Sequence, residues 1–264
     1  MLHGAIIGDI AGSRFEFDNY RKKDFEIFDK RCFFTDDTVM TLAVAQALLD
    51  CRQNFSRLGE VCARTMRSVG RHYPGCGYGG RFNVWMFSDD MPAYRSFGNG
   101  AAMRVSPVAY AARDRRQVKE LARAVTCVTH DHPEGIKGAE VTALLLFDAL
   151  HGADKAALRK TAKEYYPLDF TIDEIRPSYR FNETCQNTVP QALEAFFEAR
   201  DFEDAVRTAV SVGGDSDTLA AIACSVAEGF FGVPEEMKTR AESYLDERLL
   251  RILRDFNAAF AGQK

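Results

Sequence analysis

The chain has 264 residues, of which 46% are hydrophobic, and it carries a formal net charge of −4 at pH 7. A chain of this size can bury a substantial core and lies at the upper edge of a single domain. The net negative charge argues against a protein that is held mainly by nucleic-acid phosphates or by an anionic membrane.

Several features of the chain favour a location in the cytoplasm. No apolar run reaches the roughly 18 residues that a membrane span needs, and the N-terminus lacks the basic region of a signal peptide. Seven cysteines, an odd number, are scattered without a CxxC motif or a His/Cys cluster. This usage is typical of reduced thiols rather than of disulfides or a zinc site. We therefore expect a soluble cytoplasmic protein.

Helical periodicity dominates the chain, and no run of residues alternates as a strand does. The pattern predicts helices over about 3–13, 36–51, 56–72, 82–87, 116–129, 138–150, 155–165, 188–199, 202–211 and 218–231. A capping box at Thr171 predicts one further short helix, and the chain after Pro234 holds one or two amphipathic helices. Because no linker or low-complexity tract separates them, we predict an all-α fold in one compact domain over residues 1–264.

The connection between the first two predicted helices is rich in charge. Its charged residues are Arg21, Lys22, Lys23, Asp24, Glu26, Asp29, Lys30 and Arg31. A polar segment that leads into a buried site is a candidate lid. A plain solvated loop has the same composition, and the sequence does not favour one over the other.

Two of the predicted helices are apolar on nearly all sides, yet both begin with carboxylates. Their starts read Thr35-Asp36-Asp37-Thr38 and Gly213-Gly214-Asp215-Ser216-Asp217-Thr218. Buried carboxylates are costly unless positive charge compensates them, and a helix N-terminus supplies only part of that charge. We therefore expect the two N-termini to meet at one site. Four carboxylates with hydroxyls suit Mg²⁺ or Mn²⁺ better than zinc.

A purely structural alternative exists for both helix starts. Asp, Ser and Thr are ordinary N-cap residues, so either segment alone is more often a cap than a ligand set. The occurrence of both segments, each at the start of an apolar helix, favours a divalent-metal site. Such a site orients substrate oxygens and polarises water. The residues alone thus indicate a metal-dependent hydrolase with a phosphate-bearing substrate.

Two further segments are candidates for binding phosphate. The turn Gly98-Asn99-Gly100 opens an alanine-rich helix and presents backbone N–H groups, as phosphate sites do. A helix start without a ligand is the commoner explanation of such a turn. His130 precedes a helix, where a lone histidine is more often a cap or a satisfied polar group.

Five motifs, taken together and in order, resemble the ADP-ribosylglycohydrolase family, whose namesake is the dinitrogenase reductase-activating glycohydrolase. They are Gly8-Asp9-Ile10-Ala11-Gly12-Ser13 with Glu16 downstream, Thr35-Asp36-Asp37-Thr38, Gly98-Asn99-Gly100-Ala101-Ala102-Met103-Arg104, Thr129-His130, and Gly213-Gly214-Asp215-Ser216-Asp217-Thr218. The resemblance covers nearly the whole chain. It implies an all-α, compact, single-domain fold of many helices.

The resemblance also implies roles for individual residues. The positions similar to the family's ligands for two metals, usually Mg²⁺ or Mn²⁺, are Thr35, Asp36, Asp37, Asp215, Asp217 and Thr218. Glu16 matches the acidic residue of a mobile segment that gates the site in some members. Gly98, Asn99 and Gly100 would hold a diphosphate through backbone N–H groups, with His130 beside it. The implied catalytic residues are Glu16, Asp36, Asp37 and Asp217, with Glu16 or a metal-ligating aspartate transferring the proton.

The implied reaction is hydrolysis of the glycosidic bond that joins ADP-ribose to a protein side chain or a small molecule. The segment from Glu183 to Pro190 departs from the Gly-Tyr-Val-Val type of sequence in arginine-directed members. Arginine-linked, serine-linked and small-molecule-linked substrates therefore all stay open. We expect a monomer that binds ADP-ribose-bearing substrates and neither membranes nor nucleic acid.

Two alternatives to this reaction stay open. A two-metal hydrolase would cut the diphosphate of a nucleotide sugar rather than its glycosidic bond. A non-catalytic member of the family would bind ADP-ribose without turnover, although the intact acidic residues and Glu16 argue against it.

Overall fold

The computed structural model describes residues 1–261, and within that range the chain forms helices and no β-strand. The helices are α1 His3–Ser13, α2 Asp36–Asp50, α3 Leu58–Gly70, α4 Gly80–Phe87, α5 Gly100–Met103, α6 Pro107–Ala111, α7 Arg115–Thr126, α8 Pro133–Leu150, α9 Lys155–Lys163, α10 Ile172–Ile175, α11 Cys185–Glu198, α12 Phe202–Val210, α13 Ser216–Phe231, α14 Glu235–Glu242 and α15 Glu247–Phe260, with a 3-10 turn at Phe55–Arg57. The predicted all-α fold is confirmed.

Helix boundaries differ from the sequence-based expectation where local capping chemistry intervenes. Helix α8 begins at Pro133, five residues earlier than predicted, because the side chain of His132 accepts a hydrogen bond from the N–H of Glu134. Proline suits this first position since it has no N–H to leave unpaired. The short helix α6, which also begins with a proline, was not predicted. The capping box at Thr171 is present and opens α10.

Helix α13 lies at the centre of the molecule. Every residue from 216 to 227 is buried, and the helix packs against α1, α8, α11 and α12. None of the helices within residues 1–261 has the length and apolar character needed to cross a membrane. A helix without a polar face fits this central position because all its sides contact other helices.

Helices α1 and α13 touch through their backbones. Gly4, Gly8 and Gly12 lie on one stripe of α1, and a Cβ added at Gly8 would lie 2.2 Å from the carbonyl oxygen of Ala220. A Cβ added at Gly12 would lie 2.5 Å from the Cα of Asp217. Only glycine permits such close approach. The contact fixes the position of α1 relative to the first turn of α13.

We expect Gly8→Ala to destabilise the protein by about 1–3 kcal/mol, because the added methyl group overpacks the contact with α13. Gly59→Ala in α3 is the matched control, since a Cβ there meets its nearest neighbour at 3.4 Å. Equilibrium urea unfolding of both variants checks this. Equal stability of the two would contradict the close approach of α1 and α13.

Candidate active site

The N-termini of α2 and α13 meet in the interior. The chain reaches α13 through Gly213 and Gly214, which have φ angles of +82° and +69° that favour glycine. Across the two helix starts, the hydroxyl of Thr218 donates to Oδ2 of Asp37 at 3.2 Å. The expectation that both acidic segments meet at one place is confirmed.

Asp9 of α1 holds the start of α2. Its carboxylate is fully buried and accepts the N–H of Thr35 at 2.9 Å and the N–H of Thr38 at 3.0 Å. The Thr35 hydroxyl donates to the same carboxylate at 2.7 Å. Burial raises the pKa of Asp9 to about 6 despite these hydrogen bonds. Asp9 was not predicted as a site residue, although a carboxylate inside an otherwise apolar helix is a signal that could have found it.

Asp215 stands at the N-cap position of α13 but makes no capping hydrogen bond with its side chain. The side-chain amide of Asn99 holds it instead, with Nδ2 donating to Oδ2 of Asp215 at 2.7 Å and to Oγ1 of Thr188 at 3.2 Å. The capping alternative therefore does not account for Asp215. Its carboxylate is positioned from another part of the chain.

Glu16, which follows α1, comes close to the carboxylates of α13. One oxygen each from Glu16, Asp215 and Asp217 lie within 4.8 Å of one another. Asp36 and Asp37 line the same cavity. Within residues 1–261, no arginine or lysine side chain forms an ion pair with these five carboxylates. We call these five residues the acidic cluster.

Burial and mutual repulsion disfavour the charged forms of the cluster. Burial first, and then the charge of Asp217, raise the pKa of Glu16 from its ordinary value of 4.5 to about 8. The same two causes raise the pKa of Asp36 and Asp37 well above the usual range. Burial and the neighbouring Asp215 do so for Asp217. Such shifts mark a site where positive charge is missing.

The cluster fits hard divalent cations. Its donors are carboxylate and hydroxyl oxygens, the type that Mg²⁺ and Mn²⁺ prefer. Oδ1 of Asp37 is buried without a hydrogen-bond partner, an unusual state for a carboxylate oxygen. The two observations together support a cation centre here, whereas the identity and number of the ions stay predictions.

The segment between α1 and α2 is anchored beside the cluster. Oδ1 of Asn19 accepts the N–H of Gly214 at 3.0 Å, and Arg21 donates to the carbonyl of Tyr179. Phe17 stacks on Phe181, with their ring centroids 5.8 Å apart. These contacts join the segment to the turn before α13 and to the loop before α11. Its mobility stays a prediction.

A cavity of about 370 Å³ extends from the acidic cluster. Beyond the carboxylates it is lined by Tyr94, Phe97, Gly98, Gly100, Arg104 and His130. The lining thus combines carboxylates with aromatic and cationic groups and with backbone N–H donors. A ligand with hydroxyl groups at one end and an anionic group further along matches this arrangement.

Comparison with known proteins assigns the chain to a family. A family model described as ADP-ribosylglycohydrolase matches residues 1–264. The chain belongs to the ADP-ribosylglycohydrolase family.

The relatives in this family are distant in sequence. The ADP-ribosylhydrolase ARH3 of Xenopus tropicalis is 26% identical over 322 residues, which cover 93% of this chain and 91% of that protein. ADP-ribosylarginine hydrolase Tri1 of Pseudomonas putida is 28% identical over 60% of this chain and 46% of that protein. A solved structure, described as an ADP-ribosylglycohydrolase-related protein complex, has a TM-score of 0.75 at 24% identity and covers 100% of this chain and 96% of that one. It has the same fold.

In this member of the ADP-ribosylglycohydrolase family, the residues predicted to bind phosphate have partly different contacts. The N–H of Asn99 donates to the carbonyl of Glu183 at 2.7 Å, and the N–H of Gly98 donates to Oγ of Ser96 at 3.2 Å. In the described part of the chain, the N–H of Gly100 makes no such bond. Nε2 of His130 lies beside both glycines, 3.4 Å from a Cβ built on either. Their role toward a diphosphate stays a prediction.

Arg104 and Glu183 also line the cavity and were not predicted as site residues. Arg104 stands within a motif, but an arginine in a sequence gives no sign of being buried. Glu183 lies in the loop before α11, where no periodicity marks it. Only the packing of distant segments brings the two residues to the site.

We expect the melting temperature of the EDTA-treated protein to fall as the pH rises from 5 to 8. The folded chain keeps a proton on Glu16 up to a pKa of about 8, whereas the unfolded chain releases it near the ordinary value, so stability falls between the two. Mg²⁺ or Mn²⁺ should raise the melting temperature and reduce this slope. Differential scanning fluorimetry in matched buffers checks both.

Asp217→Asn should flatten the same pH profile, because it removes the charge that most strongly repels Glu16. Glu236→Gln, at an exposed carboxylate of α14, is the matched control and should leave the slope unchanged. If the melting temperature depends on pH to the same extent in both variants, mutual repulsion of the carboxylates does not lower the stability of the protein.

Proposed function

We propose that this protein is a metal-dependent ADP-ribosyl hydrolase, which cleaves the glycosidic bond between ADP-ribose and a protein side chain or small molecule. One observation carries this proposal: the acidic cluster shares one cavity with His130, Arg104 and the Gly98–Gly100 turn. ADP-ribose has a ribose with vicinal hydroxyls at one end and a diphosphate further along. Its chemistry matches both groups of lining residues.

The names of the relatives support the same reaction class. The proteins from Xenopus tropicalis and Homo sapiens are named ADP-ribosylhydrolases. The protein from Pseudomonas putida is named for ADP-ribosylarginine, but its alignment covers only 60% of this chain. The leaving group is therefore left open in this proposal between arginine, serine and small-molecule linkages.

We propose that two divalent cations, Mg²⁺ or Mn²⁺, bind the hydroxyl and carboxylate oxygens at the two helix starts. These are Thr35, Asp36, Asp37, Asp215, Asp217 and Thr218. Bound cations would supply the positive charge that orients the ribose hydroxyls and polarises the attacking water. The Thr35 hydroxyl donates its hydrogen to Asp9 and accepts the N–H of Asp37, which leaves one lone pair of its oxygen for a cation.

The side chains themselves supply the other requirements of the reaction. Departure of the leaving group develops positive charge on the ribose, which nearby carboxylates of the cluster stabilise. Burial raises the pKa of Glu16 in the cation-free protein, and this environment suits a carboxyl group that gives a proton to the leaving group. The N–H of Gly100 and the ring of His130 are suited to hold the diphosphate.

Incubation with arginine-linked and serine-linked ADP-ribosyl peptides, with Mg²⁺ or Mn²⁺ and an EDTA control, tests the proposal. We expect metal-dependent release of intact ADP-ribose, detected by mass spectrometry. The peptide that is cleaved faster would identify the linkage that the protein prefers. Release of AMP, with a phosphoribosyl group left on the peptide, would instead mean that the diphosphate is cut. Absence of release from peptides and from small-molecule conjugates alike would support a non-catalytic protein.

Substitutions in the cluster should separate cation binding from proton transfer. Asp37→Asn and Asp217→Asn should abolish turnover and weaken Mn²⁺ binding in calorimetry. Glu16→Gln should lower turnover by about 10²–10⁴-fold, the usual range for a general acid, with a smaller effect on Mn²⁺ affinity. Glu236→Gln is the control for both measurements. Equal losses of rate and affinity in Glu16→Gln would mean that Glu16 is a cation ligand.

A further inference from the structure

Arg104 is a buried cation without a carboxylate partner. Its side chain follows α5 and is 1% exposed, yet it lines the cavity. Among the described residues, no aspartate or glutamate oxygen lies within ion-pair distance of its guanidinium group. A buried guanidinium without a counter-charge is costly, and burial lowers its pKa. Such a charge is stabilised when an anion enters the cavity.

The guanidinium group contacts His130. Nη2 of Arg104 donates to Oγ1 of Thr129 at 2.7 Å and lies 3.3 Å from Nδ1 of His130. Oγ1 of Thr129 is 2.8 Å from the same Nδ1. Nε of Arg104 is buried without a partner. Arg104 and Thr129 thus both lie within hydrogen-bond distance of Nδ1 of His130.

These contacts decide the tautomer of His130. A guanidinium group has donors and no acceptor, so Nδ1 must accept. The Thr129 hydroxyl already accepts from Arg104 and directs its own hydrogen to Nδ1. The ring proton is therefore on Nε2. A second proton on Nδ1 would face the guanidinium group, and burial together with Arg104 holds the pKa of His130 well below its usual range.

The Nε2–H group faces the cavity. It lies beside Gly98 and Gly100, 3.4 Å from a Cβ built on either, and within residues 1–261 it makes no hydrogen bond. The N–H of Gly100 lies in the same turn. An anion that reaches this turn meets two donors of fixed direction with a buried positive charge behind them.

We propose that Arg104 is a positioning residue, which fixes the Nε2–H tautomer of His130 as a hydrogen-bond donor to a phosphate oxygen. The identification of the phosphate with the diphosphate of ADP-ribose rests on the proposed function. The role of Arg104 in fixing the tautomer of His130 does not depend on the proposed function. Because Arg104 acts through His130, their effects on binding should not add.

The tautomer of the wild-type protein is the first test and needs no variant of Arg104. The chain has five histidines, so long-range ¹H–¹⁵N spectra of histidine-labelled protein are simple, and His130→Gln assigns the signal. We expect neutral His130 with its proton on Nε2 at pH 7. A proton on Nδ1, or a cationic ring, would overturn the proposal whatever the protein hydrolyses.

Binding of ADP and of adenosine in EDTA, measured by calorimetry, is the second test. Arg104→Met should weaken ADP binding by roughly 10- to 100-fold, as expected for a lost hydrogen bond with a charged group, with little change for adenosine. His130→Ala should weaken it comparably, and the double variant should lose little more. Arg104→Lys should restore part of the affinity relative to Arg104→Met, because lysine keeps a cationic donor that can favour an unprotonated Nδ1 of His130.

Arg67→Met is the matched structural control. Arg67 is half-buried and donates to the carbonyl groups of Trp85 and Met91, so its loss should lower stability without changing ADP affinity. Additive losses in the double variant, or equal losses for ADP and adenosine, would contradict the proposal. If the tautomer and ADP binding are as expected but no conjugate is hydrolysed, the proposed reaction fails and the role of Arg104 stands.

Discussion

The backbone contact between α1 and α13 is the constraint on which the site depends. Without side chains at Gly8 and Gly12, the two helices approach until α1 touches Asp217. Asp9, the neighbour of Gly8, then reaches the start of α2 and accepts two of its N–H groups. Three segments far apart in sequence are thereby joined at one point. Packing energy of the surrounding core holds the carboxylates together against their repulsion.

Capping and ligand binding are divided between different residues. The free N–H groups of α2 are satisfied by Thr35, by Asp9 from another helix and by the carbonyl of Cys76, so Asp36 and Asp37 are not used as caps. Asp215 likewise leaves its own helix uncapped and is held by Asn99. This division answers the structural alternative raised by the sequence. Residue types that usually end as caps are here left with free oxygens, which is what a cation centre requires.

Local patterns predicted the helices, since an apolar run without a polar face belongs to a core wherever it lies in the chain. The meeting of two acidic helix starts also followed from their composition, because buried carboxylates need a common compensating charge. The roles of Asn99 and Arg104 did not follow. Asn99 bonds to Asp215, 116 residues away, and no periodicity records such a pairing. The resemblance to the family indicated the phosphate turn but not which of its N–H groups are already bonded.

The two ends of the segment between α1 and α2 are joined by hydrogen bonds. Oγ of Ser13 accepts the N–H of Phe33 at 3.1 Å, and Asp9 binds Thr35 one step further along. These bonds close the loop at its base, independently of what lies between. Because the entropy of loop closure grows slowly with length, an insertion between these bonds adds little to the cost of closing the loop. Changes of length in this segment are therefore tolerated more readily than substitutions at Glu16 or Asn19, which contact the carboxylates of α13 and the turn before it.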